Sequence, residues 1–125
     1  MSEKSRMEAG KDENGNVVLC AASAYEEKYY FNPLFSRLPD SVQKELRIIC
    51  ILFTDEIGGI FAMEYNHEGN LQFLTEARDW DYQYDEIGAA LMIKEIQKSR
   101  RDLLRSLELF YQVVILGQPL EEKME

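Results

Sequence analysis

Residues 84–111 contain no proline and are rich in strong helix formers. Within and just beyond this stretch, Ile93, Ile96, Leu103, Leu107, Phe110 and Val114 recur at three- and four-residue steps or their multiples. That spacing gives a helix one wide apolar face. It predicts a single helix over about 84–112, and at 1.5 Å per residue such a helix spans ~40 Å, more than the width of a small sheet. Its last part, "LELFYQVVIL", is apolar nearly all round. That end must either be buried between the sheet and a partner or turn into a short extended segment.

A second signal lies upstream. "IFAMEYN" (60–66) and "LQFLTEA" (71–77) alternate in polarity on either side of "HEGN", which predicts a hairpin with glycine near the end of its loop. "VVLCAAS" (17–23) reads as a buried strand. "YEEKYYFN" (25–32) fits either a strand or two helical turns, and its aromatics lean to the strand. After the two prolines of "NPLFSRLPD" (32–40), Asp40 can cap a helix and Gln43 can reach back to it. "IICILF" (48–53) then forks. It can extend the helix, with Leu46, Ile49, Cys50 and Phe53 on one side. Alternatively it is a central strand, and β-branched residues apolar on every side favour that. The expectation is a short helix over about 40–46 and a strand over about 47–54. A tight turn follows at "DEIGG", with Gly58 or Gly59 at positive φ. Residues 47–77 then form a three-stranded meander, and the fold class is α+β.

The 16 residues at the N-terminus, "MSEKSRMEAGKDENGN", have almost nothing to bury and read as a disordered arm; 118–125 reads as a flexible tail. The single folded domain is expected over 17–117. Neither a leader core nor a membrane-length apolar run is present. The net charge of −9 opposes binding to nucleic acid and to anionic membranes. Cys20 and Cys50 sit in apolar runs, which suggests buried free thiols in a reducing cytoplasm; a disulfide between them stays open.

The segments "VLCAASAYEEKYYFN", "LPDSVQKELR", "FTDEIGGIF" and "YDEIGAAL…LELFYQ" together resemble a family of small uncharacterised bacterial proteins. The resemblance covers most of the folded part. It implies a cytoplasmic bacterial protein and lends no catalytic residue.

The densest chemistry is "DWDYQYDE" (79–86). Asp79, Asp81, Gln83 and Asp85 begin like a calcium loop. Such a loop needs glycine at its sixth position and a bidentate glutamate at its twelfth, and Tyr84 and Ala90 stand there. The simpler reading has Asp81 or Asp85 capping the long helix and favouring its dipole, with the aromatics half-buried on the sheet edge. A functional variant is an aromatic pocket of Tyr29, Tyr30, Trp80, Tyr82 and Tyr84 that selects a cationic ligand. His67, at the hairpin tip, has no partner for metal or base chemistry. No nucleophile elbow, phosphate loop or zinc motif is present, so no catalytic residue, metal site or cofactor is expected.

Charge is segregated. Asp55 to Glu86 holds nine acids and one base, Arg78. Lys94, Lys98, Arg101 and Arg105 share one face of the long helix. Arg100 falls in the apolar seam, where a guanidinium must snorkel out along the helix or pair with a carboxylate of a second chain. The leading expectation is therefore a non-enzymatic module that self-associates, as a homodimer, through its C-terminal helix. Lys94, Arg100, Arg101, Leu103, Leu107 and Phe110 would form the interface. A small-ligand sensor built on the aromatic pocket is the alternative, and an acid-rich metal-assisted enzyme the third.

Overall fold

The computed structural model describes Lys11, Asp12 and residues 14–120. The arm expected over 1–16 therefore falls largely outside the described residues, as does most of the expected tail. Asp12 anchors a tight turn: its Oδ1 accepts from the Asn14 and Asn16 amides, both at 2.9 Å, and Lys11 bridges to Val17. Hydrogen-bonded structure thus begins before Val17.

Four antiparallel strands form one sheet in the order β2-β1-β3-β4. They are β1 (Val17–Ser23), β2 (Lys28–Phe31), β3 (Ile60–Tyr65) and β4 (Leu71–Glu76). Asn32 joins the sheet to a single 3-10 turn, Pro33–Phe35. Its side chain donates to the Val18 carbonyl at 2.7 Å and accepts from the Leu34 amide at 3.0 Å. Three helices follow the sheet's strands in sequence or separate them: α1 (Asp40–Glu56), α2 (Glu86–Ser99) and α3 (Arg101–Phe110), the last running into a π-helical turn, Tyr111–Ile115. The fold is α+β, as expected.

Three finer expectations are corrected. Residues 47–54 are helix, so α1 runs 17 residues and the three-stranded meander shrinks to the β3–β4 hairpin. Leu46, Ile49, Cys50 and Phe53 form the buried stripe, while Ile48 and Leu52 point to solvent. The run was apolar on every side because the helix carries a core stripe and an exposed one. Burial of the first outweighs the β-branched preference for strand.

The long helix is also not continuous. It breaks at Arg100 (φ −116°, ψ 27°), giving a 14-residue α2 and a 10-residue α3. The break falls at the charged residue of the seam and coincides with a turn of its guanidinium onto Glu45 of α1. Finally, Asp40 makes no side-chain cap. Gln43 instead donates backwards, to the Leu38 carbonyl at 2.8 Å and the Ser36 carbonyl at 3.3 Å.

The helices cover one face of the sheet. Leu19, Cys20, Ala22, Phe61, Met63 and Tyr65 meet Leu46, Cys50, Phe53, Ile96, Leu107 and Tyr111 there. Aromatic stacking carries much of the contact: Phe53 on Phe61 at 4.3 Å and Tyr65 on Tyr111 at 4.1 Å. On the other face, Val18, Ala21 and Ala62 make a smaller cluster flanked by Tyr30 and Leu74.

Candidate functional site

The "DWDYQYDE" loop is a staple and a cap. The Tyr25 hydroxyl donates to Asp81 Oδ2 at 2.6 Å and accepts from the Arg78 amide at 3.1 Å. The Arg78 guanidinium lies 4.6 Å from the Tyr25 ring centre and pairs with Glu26 at 3.1 Å, and Trp80 packs edge-on against the same ring. The loop after β4 is thereby fastened to the β1–β2 turn. Asp85 caps α2, accepting from the Gly88 amide at 2.8 Å. Tyr25 and Arg78 were missed in the sequence; both are ordinary loop residues until the fold brings them together across 53 positions.

The five aromatics of the expected pocket do not line one cavity. Tyr29 packs under α1, on the helical side of the sheet, whereas Tyr30, the next residue, faces the opposite side. Trp80 is largely exposed and Tyr82 is 91% exposed, in place of the half-buried lids expected. Tyr84 lies against Gly59. Among the described residues no three acids, histidines or cysteines are grouped to hold a metal ion.

The expected interface residues divide. Leu107 is 2% exposed, and Leu103 and Phe110 pack onto the chain's own core, Phe110 against Phe35. Arg100 pairs within the chain, with Glu45. Lys94 and Arg101 remain on the surface. The apolar part of the expected interface is thus committed internally.

A different apolar surface lies on the outer side of the helical layer. α1 and α2 pack side by side and antiparallel: Arg100, at the end of α2, meets Glu45 early in α1, while Tyr84, just before α2, meets Gly59 just beyond α1. Ile48 and Leu52 on α1 are 47% and 53% exposed; Ile87 and Leu91 on α2 are 77% and 61% exposed. Each pair is one helical turn apart, so each forms a short ridge. Sequence periodicity passed over them because they fall outside the seam that ends in the core.

Residues 16–119 match the family of unknown function DUF6145. The chain belongs to that family. The DUF6145 match takes in every strand and helix described above, together with the outer ridges. No curated protein matches the chain, and no solved structure does.

Charge in this DUF6145 domain frames the ridges unevenly. At the end where α1 finishes and α2 begins, Asp55, Glu56, Asp85 and Glu86 are all exposed. At the other end stand Lys44, Lys94, Lys98 and Arg101, mixed with Asp40, Glu95 and Asp102. The contrast is therefore between a purely acidic end and a mixed end that cations lead by one. A groove of about 550 Å³ opens at the mixed end, between the start of α1 and the α2–α3 break, and contains the Glu45–Arg100 pair.

Proposed function

We propose that this domain is a non-enzymatic interaction module that pairs with a second copy of itself through the outer face of α1 and α2. The observation that carries the reading is the exposed apolar set Ile48, Leu52, Ile87 and Leu91 on two neighbouring helices. Large side chains this exposed, grouped on one face, are a mark of an association surface. The charge pattern suits a like partner. A twofold axis through the ridges sets the acidic end of one copy against the Lys94–Lys98 end of the other, and a symmetric dimer needs such a self-complementary patch. The reading includes a reducing, cytoplasmic setting, which the two free buried thiols support.

Native mass spectrometry tests it. The wild-type chain is expected as a dimer, and Leu52→Asp with Leu91→Asp as a monomer with an unchanged circular dichroism spectrum, since both sites face solvent. Leu107→Asp, by contrast, should unfold the chain, because it puts a charge into the core. A wild-type monomer at micromolar concentration overturns the proposal.

A further inference from the structure

The chain has two cysteines, and the fold brings them together from 30 residues apart. Cys20 is on the central strand β1 and Cys50 on the buried stripe of α1; neither has any exposed surface. The Cys50 thiol donates to Cys20 Sγ at 3.6 Å, and the Cys20 thiol donates to Met63 Sδ at 3.7 Å. The Cys50–Cys20 contact thus spans helix and sheet, while Cys20 and Met63 are cross-strand partners within the sheet. Burial alone does not require this, since two small apolar side chains can occupy a core without meeting.

We infer that Cys20 and Cys50 form an oxidation site that a peroxide closes to an intramolecular disulfide, tying α1 to β1. The chemistry balances with hydrogen peroxide as oxidant. One thiol, after losing its proton, attacks a peroxide oxygen; the O–O bond breaks, leaving a sulfenic acid and, after proton return, one water. The second sulfur then attacks the sulfenic sulfur, the S–O bond breaks, and a second water leaves with the second thiol's proton. Two thiols are oxidised and one peroxide is reduced to two waters. Once α1 is seated on the sheet again, the second step is intramolecular at contact distance, so it should outrun further oxidation of the sulfenic acid.

The first step is slow in the closed fold. The hydrogen bond to Cys20 and burial push the Cys50 thiol's pKa well up, which keeps it protonated. The ring of Tyr29 packs into the same cluster on the β2 side, and the Arg47 guanidinium lies 5.7 Å from the centre of that ring. Oxidation therefore requires α1 to lift from the sheet, and a low urea concentration should accelerate it. The inference does not depend on dimer formation.

The test uses the full chain treated with hydrogen peroxide, quenched with catalase, then unfolded in guanidinium with iodoacetamide and weighed intact. The expected product is monomeric, has lost two hydrogens, takes up no alkyl group, and gives a crosslinked peptide pair containing Cys20 and Cys50. Dithiothreitol should restore two alkylatable thiols. Cys50→Ser should leave no intramolecular link. Recovery of two alkylated cysteines, of sulfinic or sulfonic acid on either one, or of a disulfide between two chains would overturn the inference.

Discussion

Tyr65 shows how much one side chain joins. It stands on β3, stacks on Tyr111, and donates its hydroxyl to the Leu107 carbonyl at 2.9 Å. Burial, with smaller contributions from Cys20 and Glu108, pushes its phenol's pKa up; burial and Cys20 do the same to Tyr29. An unfolded chain ionises these phenols near ~10. Above that value the unfolded state holds fewer protons than the folded one, so stability falls as pH rises. The urea midpoint should therefore not vary with pH through these groups between about pH 7 and 9 and should drop from about pH 10 upward, toward the raised folded values. Tyr65→Phe should cost about 1 kcal/mol at neutral pH, from the lost hydroxyl bond to the Leu107 carbonyl, which keeps its helical bond from the Tyr111 amide, and flatten the alkaline slope. Urea titrations of both chains across that range check this, and equal slopes would refute the assignment to Tyr65.

At the level of elements, the turn from α1 into β3 decides whether the helical layer can sit on the sheet. Gly58 and Gly59 both take positive φ, +90° and +71°. Their surroundings differ. A Cβ on Gly58 would meet nothing within 4 Å, whereas one on Gly59 would stand 2.5 Å from a Tyr84 ring carbon and 2.8 Å from the Glu76 carbonyl oxygen. Gly58→Ala should cost only the backbone penalty of about 1–2 kcal/mol. Gly59→Ala adds a clash with backbone that cannot step aside, and should lower Tm by clearly more than Gly58→Ala does. Thermal unfolding of the two variants side by side measures the difference; equal shifts would mean that Tyr84 does not pack there.

For the whole molecule, the proposed dimer makes a prediction about charge that is separate from the apolar ridges. Lys94→Glu with Lys98→Glu places acid against acid across the twofold axis and should weaken the dimer by about tenfold, given roughly 0.2–1 kcal/mol per exposed pair. Adding Asp55→Lys and Glu86→Lys returns the net charge to its original value and should restore the affinity. Analytical ultracentrifugation of the three chains reads this directly. Failure of the second swap to rescue would place the interface elsewhere.

The sequence alone determined those features whose cause is local. The hairpin around "HEGN" was readable because alternation and a loop glycine are neighbours in the chain, and the cap could be narrowed to Asp81 or Asp85 because a cap acts within a few residues. The limits of the C-terminal helical region and the α+β class followed from periodicity. What depended on distant partners was not readable. Helix or strand at 47–54 turned on whether a sheet lay ready to bury one stripe of it, which outweighed the local preference of "IICILF" for strand. The partner of Arg100 at the helix break, Glu45, lies 55 positions earlier. Leu107 and Phe110 became core, and Ile48, Leu52, Ile87 and Leu91 surface, only when the helices settled side by side on one face of the sheet. Apolar character is written in the residue, but the side of the molecule on which it ends up is set by what packs against it.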